Sequence, residues 1–241
     1  MTSNKGALIV LLISSILFLY SCSPFYQLFE TKPSSSGISQ DKFYCFENDT
    51  VKIKYTFWEE KGTVCLSIYN KLKIPLYIDW KKSSFIRNGE KMDFWQDATT
   101  TNSRGSSSGN SSFLFGHFNS FGLVQSSSVS VKPQRIDFIA RQSTTSKIKF
   151  LLYEEKPIPL KGNSQLNYTV DSSPLVFRTF FTFSLSEKFE NESYINNTFY
   201  VSRIKQIPQR EFLGKAIGTE GGKAIYEYPF KSPTCFYVIV K

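Results

Sequence analysis

The chain from residue 51 onward alternates between apolar and polar side chains over many short stretches. Between residues 51 and 57, Val, Ile, Tyr and Phe alternate with Lys and Thr, and the same period of two returns at residues 63–69. A period of two is that of a strand with one buried face. The turn sequence Glu-Glu-Lys-Gly between these stretches therefore predicts a β-hairpin. A second hairpin is predicted from residues 84–87 to 91–95, because the Asn-Gly pair between them favours a tight two-residue turn.

Further strands are predicted wherever a short apolar or alternating run lies between turn residues. These runs are 76–80, 128–131, 135–139, 147–151, 175–185, 194–207 and 235–240. One short helical turn is predicted near residues 209–215. Many short strands separated by turns are typical of an antiparallel β-sandwich. The predicted all-β domain covers residues 42–241.

One of these strands, which begins at Leu76, predicts which of its side chains are buried. Successive residues of a strand point to opposite faces. Leu76, Ile78 and Trp80 are therefore expected on one face, and Tyr77 and Asp79 on the other. Trp80 is predicted to be a core residue rather than a ligand platform. For Asp79 the preferred interpretation is a hydrogen bond to a turn, and the alternative is a ligand for a metal or a partner.

The first 21 residues predict a signal peptide. Lys5 precedes an apolar run from Ala7 to Tyr20, which is interrupted only by two serines. This run is shorter than the about 20 apolar residues of a membrane-spanning helix, and a charged start with a short apolar core is typical of secretion signals. The end, Leu-Tyr-Ser-Cys, resembles the bacterial lipobox, which implies that Cys22 becomes lipidated. The alternatives are a secreted protein without lipid and an uncleaved anchor helix.

Lipidation of Cys22 would hold the protein on a membrane, since two or more acyl chains anchor a protein stably. Ser23 follows the cysteine, and the absence of Asp at that position resembles the outer-membrane sorting signal of Gram-negative lipoproteins. The prediction is an outer-membrane lipoprotein, with the periplasmic face favoured over the cell surface. Residues 22–41 are predicted to form a flexible tether, because the Ser, Gly and Pro residues there bury little apolar surface.

Composition and charge narrow the classes of protein. Hydrophobic residues make up 41% of the chain and aromatic residues 16%, which is enough to build a core and excludes a fully disordered chain. The net charge of +9 suits anionic lipid headgroups or polyanionic polymers, and it also suits a solvated basic surface. A nucleic-acid partner is not expected of an exported chain that has no recognition motif.

Residues 98–128 differ from the rest of the chain. They begin with a Ser/Gly-rich stretch and continue with the aromatic run 113–118. A long loop of this kind in a compact domain is functional or disordered, and its aromatic residues predict that part of it docks. His117, the single histidine of the chain, lies in this loop without a Gly-x-Ser-x-Gly motif, so it is not expected to be catalytic.

Few residues suggest catalytic or metal-binding chemistry. Cys45 and Cys65 are the nearest pair that could form a disulfide in an oxidising compartment. The alternative is that Cys45, Cys65 and Cys235 are small buried hydrophobic residues. With one histidine, neither a metal site nor another cofactor is predicted. The adjacent acids at 59–60 and 154–155 lie in predicted turns and are interpreted as solvated, so the chain is expected not to be an enzyme.

Two segments resemble a known group of proteins. Residues 69–89 contain Tyr-Asn-Lys, Pro-Leu-Tyr-Ile-Asp-Trp, Ser-Ser-Phe-Ile and Asn-Gly in that order, and residues 133–136 are Pro-Gln-Arg-Ile. This pattern resembles that of uncharacterised envelope lipoproteins of the Bacteroidota over residues 65–150. Ala140-Arg141 departs from the pattern, which has a proline pair at that point. The resemblance implies an immunoglobulin-like β-sandwich and supplies no catalytic residues.

The function predicted from these features is that of a lipid-anchored envelope protein. It would act as a non-enzymatic accessory or interaction module with an envelope protein as partner, which could add a strand to an exposed sheet edge. The alternative is a module that binds carbohydrate or peptidoglycan, in which Tyr77, Trp80 and Trp95 would stack on sugar rings. Tyr77 and Trp95 are the candidate residues of the binding surface.

Overall fold

A computed structural model describes residues 24–95 and 134–240 of the chain. Strands dominate these residues, and one short helix, α1, is Gln209–Leu213. The strands are β1 Phe25–Pro33, β2 Ile38–Gln40, β3 Tyr44–Glu47, β4 Val51–Thr56, β5 Thr63–Asn70, β6 Leu76–Asp79, β7 Ser84–Arg87, β8 Glu90–Asp93, β9 Ile136–Ile139, β10 Thr144–Leu151, β11 Gln165–Asn167, β12 Val176–Ser184, β13 Glu192–Pro208, β14 Ala216–Glu220, β15 Lys223–Tyr226 and β16 Cys235–Val240.

Two antiparallel sheets share one core, which confirms the predicted all-β sandwich. Over the described residues, the larger sheet has nine strands in the order β16-β1-β13-β12-β6-β9, with β11 beside β13 and the β7–β8 hairpin beside β12. The smaller sheet has the order β10-β5-β4-β3-β2. The predicted hairpins β4–β5 and β7–β8 are both present. Strands β14 and β15 form a separate two-stranded hairpin.

Aromatic rings from both sheets fill the space between them. The ring centroid of Phe199 on β13 lies 5.0 Å from that of Tyr55 and 5.4 Å from that of Phe57, on the opposite side of the core. The Tyr55 hydroxyl is hydrogen-bonded to the Thr179 hydroxyl and accepts a hydrogen bond from the Asn197 amide. Because its partners are in place, this buried hydroxyl avoids the cost of an unpaired polar group.

Trp80 is a core residue, as the alternation predicts. It is 4% exposed, and Leu76 and Ile78 on the same face of β6 are fully buried. All three belong to one apolar cluster with residues of β4 and β5 from the other sheet. The Trp80 indole N–H has no hydrogen-bond partner among the described residues, so this side chain is held by packing and by the Lys147 ammonium, which lies 4.8 Å from its ring centroid.

Two turns depend on backbone conformations that few residues adopt. Asn88 and Gly89 have φ values of 47° and 87°, and two consecutive positive φ values are those of the type I′ turn predicted between β7 and β8. Helix α1 ends at Gly214, where φ is 69°. A Cβ atom at Gly214 would lie 2.8 Å from Cδ of Pro229, so a larger residue would force this turn apart.

The predicted tether at residues 22–41 is wrong for most of its described part. Residues 25–33 form β1, which pairs with β13 on one side and with β16 on the other, and residues 38–40 form β2. Four consecutive residues of β1, from Tyr26 to Phe29, are buried, because both faces of the strand are covered. The Ser/Gly run that suggested a tether is only the turn from β1 to β2.

Several predictions from the sequence concern residues outside the described ranges. These are the signal peptide 1–21, the lipidation of Cys22, the Ser/Gly-rich loop 98–128 with His117, and the strand at 128–131. Within the described ranges, the other predicted strands are present with ends shifted by a few residues, and the predicted helical turn is α1.

Part of the outer face of the nine-stranded sheet is covered by α1 and by the segment after β15. Beneath them, Tyr26, Leu28 and Ile207 form a second apolar cluster with Phe212 and Leu213 of the helix. The rings of Tyr26 and Phe212 are stacked with their centroids 4.3 Å apart. We refer to this part of the sheet as the covered half of the outer face.

Candidate functional site

Aromatic side chains also lie on the other half of the outer face, around β6, β9, β12 and the start of β13. Tyr77 points outward, because it lies between the buried residues Leu76 and Ile78 on β6. Phe138 on β9 is its cross-strand partner, and cross-strand partners share a face. Tyr77 and Phe138 thus lie side by side on the outside of the sandwich.

Phe180 and Tyr194 point outward by the same argument. Phe180 precedes the fully buried Phe181 on β12, and Tyr194 precedes the buried Ile195 on β13. The rings of Phe180 and Tyr194 are stacked, with their centroids 5.6 Å apart and an angle of 21° between their planes. We call the four residues Tyr77, Phe138, Phe180 and Tyr194 the outer aromatic face.

The outer aromatic face is accessible to solvent. Phe138 is 60% exposed and Tyr194 is 59% exposed, whereas Tyr77 and Phe180 are half-buried. Single exposed apolar residues are ordinary on protein surfaces, but aromatic residues gathered on one face are typical of binding surfaces. Aromatic residues are also enriched at the centres of protein interfaces. This face is therefore the candidate binding site of the molecule.

Asp79 and Arg135 form an ion pair beside Tyr77 and Phe138. Arg135 Nη2 donates a 2.8 Å hydrogen bond to Oδ2 of Asp79. Its Nε lies 3.2 Å from Oδ2 and 3.3 Å from Oδ1, so both carboxylate oxygens accept from Arg135. Asp79 also accepts hydrogen bonds from the backbone N–H groups of Lys81 and Lys82. The preferred interpretation of Asp79, a hydrogen bond to a turn, is therefore confirmed.

The carboxylate of Asp79 is almost fully buried, at 1% exposure, whereas the Arg135 side chain is 46% exposed. Burial acts to raise the pKa of this carboxyl, but the Arg135 guanidinium and the two backbone N–H groups outweigh it and lower the pKa below its ordinary value. Asp79 is thus a fixed negative charge, and it holds a half-exposed guanidinium next to the aromatic rings. Arginine is one of the residues that contribute most at protein interfaces.

A second ion pair is hydrogen-bonded to one residue of the outer aromatic face. Lys82 pairs with Glu192, and the Tyr194 hydroxyl donates a 2.6 Å hydrogen bond to the same carboxylate. The hydrogen bond from Lys82, followed by that from Tyr194, lowers the pKa of Glu192, and the hydrogen bond to Glu192 raises the pKa of the Tyr194 hydroxyl. The face therefore offers apolar rings together with charged groups whose positions are fixed by hydrogen bonds.

The structure separates the two residues predicted for the binding surface. Tyr77 lies on the outer aromatic face, but Trp95 is half-buried against the main core, with the Lys81 ammonium 5.4 Å from its ring centroid. Trp80, the third aromatic residue of the carbohydrate hypothesis, lies on the inner face of the sheet, where it is nearly fully buried. Of the three predicted aromatic residues, Tyr77 is therefore the one that belongs to the candidate site.

The disulfide considered between Cys45 and Cys65 is absent, and both residues are free thiols, as is Cys235. Cys45 lies on β3 and Cys65 on β5, with β4 between them. Strands two positions apart are separated by about 9.5 Å, which exceeds the Cα separation of about 7 Å that a disulfide can bridge. Cys45 and Cys235 are buried and Cys65 is half-buried. Burial raises the pKa of the Cys65 and Cys235 thiols to about 11, so these thiols resist ionisation.

The acidic residues considered for catalysis occupy ordinary structural positions. Glu154 forms an ion pair with Arg87, which lowers the pKa of its carboxyl. Glu59 is half-buried beside the last strand, and its burial raises the pKa of its carboxyl. Within residues 24–95 and 134–240, no group of His, Cys, Asp and Glu residues is arranged to hold a metal ion. No helix in these ranges is long and apolar enough to cross a membrane.

The sequence analysis did not identify Phe138, Phe180 and Tyr194 as site residues. For Phe180, the sequence did contain a signal of its outward position. Phe180 and Phe181 are consecutive residues of a strand, so their rings must point to opposite faces. If Phe181 is in the core, Phe180 is necessarily outside it. The same argument applies to Phe138, which precedes the buried Ile139, but the residues that it contacts depend on the register with β6.

No family model, no curated protein and no solved structure matches the chain. The relation to envelope lipoproteins and the immunoglobulin-like topology that it implies therefore stay predictions, whereas the all-β sandwich is established by the strand pairing itself.

Proposed function

We propose that this protein is a lipid-anchored, non-enzymatic binding module of the cell envelope, which binds an envelope protein through its outer aromatic face. The observation that carries the proposal is the exposure of Phe138 and Tyr194, at 60% and 59%, on one face that also holds the Arg135 and Lys82 ion pairs. Aromatic residues and arginine are the residue types that most often dominate binding energy at interfaces.

The rigid setting of this face supports a binding role. The rings lie on paired strands rather than on loops, and Phe180 and Tyr194 support each other by stacking. Asp79 holds Arg135 through both carboxylate oxygens. Side chains that are ordered before binding lose less conformational entropy when a partner arrives. The face is therefore suited to contact a partner without a large rearrangement.

The lipid anchor is supported by the leader sequence and by Cys22, which lies three positions before β1. Pro24 is the first described residue, and β1 starts at Phe25. The distance from Cys22 to the sandwich is therefore at most about 7 Å of extended chain. A lipidated Cys22 would hold the sandwich close to the membrane, in contrast to the long tether expected from the sequence.

Carbohydrate is the second candidate ligand, and the stacked pair of Phe180 and Tyr194 favours it. An exposed ring next to charged hydrogen-bonding groups can stack on the apolar face of a sugar while Arg135, Lys82 and Glu192 bind hydroxyl groups. The protein hypothesis is preferred because the exposed rings include Phe138, which has no polar group of its own, and because arginine and aromatic residues together are typical of protein interfaces.

The binding proposal is tested with the double variant Phe138→Ser/Tyr194→Ser. Envelopes that carry the wild type or the variant are treated with a short amine-reactive cross-linker, and adducts of the protein are separated by size. The double variant is expected to lose the adduct, since hot-spot residues contribute about 2 kcal/mol or more each, roughly thirtyfold in Kd. The control is Leu151→Ser, because Leu151 is 43% exposed on the other sheet. Equal adducts in all three proteins would contradict the proposal.

Enzymatic digestion of the same adduct shows whether the partner is a protein or peptidoglycan. An adduct that disappears after protease digestion of the partner and resists a peptidoglycan hydrolase indicates a protein. An adduct that is released by the hydrolase indicates peptidoglycan and favours the carbohydrate candidate.

The anchor is tested with Cys22→Ala. This variant is expected to leave the membrane fraction and to retain the circular dichroism spectrum of a β-protein, because Cys22 lies before the first strand. A variant that still sediments with membranes after a carbonate wash would show that something other than a lipid holds the protein.

A further inference from the structure

The hairpin formed by β14 and β15 stands apart from both large sheets. All five residues of β14 are exposed, and so are the first three of β15. Its two strands pair with each other and with no other described strand. A lone two-stranded hairpin is marginally stable in water. We call residues 216–226 the arm, and its isolation suggests that another surface supports it.

The arm exposes apolar side chains. Ile217 is 63% exposed and Ile225 is 39% exposed, and the Ile225 side chain lies over Gly218, where a Cβ atom would be 4.0 Å from its terminal methyl carbon. Tyr226, Tyr228 and Phe230 follow at the base of the arm, where they are half-buried. Tyrosine and phenylalanine next to exposed aliphatic residues are typical of segments that lie in the headgroup region of a bilayer.

The base of the arm is close to the start of the described chain. The backbone N–H of Gln209, at the start of α1, donates a 3.1 Å hydrogen bond to the carbonyl of Pro24. Helix α1 then leads into the arm, and the N–H of Tyr228 returns to the carbonyl of Leu213 with 3.0 Å. The five-residue helix is about 8 Å long, and Pro24 is two positions after Cys22. By chain length alone, the arm begins within roughly 30 Å of Cys22.

The charge around the arm also suits a lipid surface. From Lys205 to Lys231 the chain carries five basic and three acidic residues. Lys205 lies with its ammonium 5.2 Å from the ring centroid of Phe230, so an apolar ring and a cation are presented together. Basic residues near a membrane are attracted to anionic headgroups.

From these observations we infer that the arm lies on the bilayer surface next to the lipid anchor, with Ile217 and Ile225 in contact with the acyl region. This inference rests on the proposed lipidation of Cys22. The lipid would then fix one point of the protein, and the arm a second point, so that the sandwich holds a defined orientation on the membrane instead of rotating about a single anchor.

The test labels the protein from inside the bilayer. The mature lipoprotein is reconstituted into vesicles of phosphatidylcholine and phosphatidylglycerol that contain a phospholipid with a diazirine in its acyl chain. After irradiation, tryptic peptides are analysed by mass spectrometry. Cleavage after Lys215, Lys223 and Lys231 separates the arm into peptides 216–223 and 224–231. Both are expected to carry the lipid label.

Peptide 179–188 is the internal control, because it contains Leu185, which is 57% exposed and lies at the opposite end of the long strand β13 from α1. The variant Ile217→Ser/Ile225→Ser is expected to lose most of the label on the arm, whereas Leu185→Ser is expected to leave it unchanged. Both variants alter exposed side chains, and an unchanged circular dichroism spectrum confirms that they fold.

The possible results distinguish a failure of the membrane contact by the arm from a failure of the proposed lipidation of Cys22. The mass of the N-terminal peptide shows whether Cys22 carries acyl chains, and an unmodified cysteine would overturn both. Acylated protein whose arm peptides are labelled no more than peptide 179–188 would overturn the inference alone. Label on the arm that persists in the double isoleucine variant would also overturn it, because the contact would then not depend on these two side chains.

Discussion

The two halves of the outer face of the nine-stranded sheet have similar residues and different surroundings. In the covered half, Tyr26 and Leu28 are buried because Phe212 and the rest of α1 lie over them. In the other half, Phe138 and Tyr194 are exposed, and no described segment lies over them. Aromatic composition alone therefore does not distinguish core from binding surface. The difference is whether another part of the fold supplies a cover.

Helix α1 covers the first half through the aromatic contacts of Phe212. Phe212 stacks on Tyr26 at 4.3 Å and contacts Trp58 and Tyr237 at 6.0 and 5.1 Å between ring centroids. Burial of an aromatic side chain contributes about 25 cal/mol for each Å² removed from water. The second half forgoes this contribution on the described surface, which is consistent with a face that is kept free for a partner.

The largest loss of stability is expected for Trp80→Ala, on the inner face that both halves share. Removing a buried aromatic ring costs about 3–5 kcal/mol, a large fraction of the about 5–15 kcal/mol that stabilises a typical domain. Urea unfolding measured by circular dichroism checks this value. Trp80→Phe is the matched control and should cost much less, because it keeps a ring and loses no hydrogen bond to a described residue. A normal stability of Trp80→Ala would show that the register of β6 is wrong.

A slightly smaller loss, about 3 kcal/mol, is expected for Phe212→Ala, which removes the cover from the first half. Tyr26 would lose its stacking partner, and the binding of a hydrophobic dye should rise as the covered half becomes accessible. Glu211→Ala on the exposed side of the same helix is the control. If dye binding and stability were unchanged in Phe212→Ala, α1 would not be the cover that the geometry suggests.

Asp79→Asn is expected to cost about 1–3 kcal/mol at neutral pH, because it removes the charge that pairs with Arg135 and weakens a charge-assisted hydrogen bond. The folded-state pKa of Asp79 is lowered, so its contribution is present above the unfolded-state value of about 4 and is lost as the pH falls through the folded-state value. The stability difference between wild type and Asp79→Asn should therefore shrink in acid.

This dependence on pH is measured by urea unfolding in a series of buffers, with Asp171→Asn at an exposed turn as the control. A difference that stays constant, or grows, as the solution becomes acidic would contradict the assignment of Asp79 as the charged partner of Arg135.

The smallest change in stability is expected for Tyr194→Ala on the uncovered half. Surface substitutions usually alter stability by no more than about 0.5 kcal/mol, and this one removes a ring that is 59% exposed together with one hydrogen bond to Glu192. Comparing its urea midpoint with that of Phe212→Ala contrasts the two halves directly. A loss as large as that of Phe212→Ala would mean that Tyr194 is part of the structural core.

The sequence predicted most of the strands because their patterns are local. The alternation around Trp80 and the Asn88-Gly89 turn depend on residues a few positions apart, and both predictions are confirmed. The position of β1 could not be predicted in this way, since its partners at residues 199–208 and 235–240 are distant in the chain. The apolar residues at 25–29 were a local signal for a strand, but the Ser/Gly run that follows them outweighed it.

The candidate site was predictable only at Tyr77. Its outward position follows from alternation with Leu76 and Ile78, but the identity of its neighbours depends on which strands lie beside β6. Phe138 is 61 positions further along the chain and Tyr194 lies on β13, two strands away in the sheet. A site assembled from separate strands of one sheet leaves no compact motif in the sequence.

If the outer aromatic face contacts an envelope partner, site-specific photo-cross-linking from that face should capture the partner. A benzophenone amino acid is placed at position 138 or 194, and, as controls, at the exposed positions of Leu151 and Leu166. Cells that carry the protein are irradiated, and adducts are detected by a shift in size. We expect one discrete adduct from positions 138 and 194 and none from the controls. Adducts from the control positions alone, or from no position, would overturn the proposed contact.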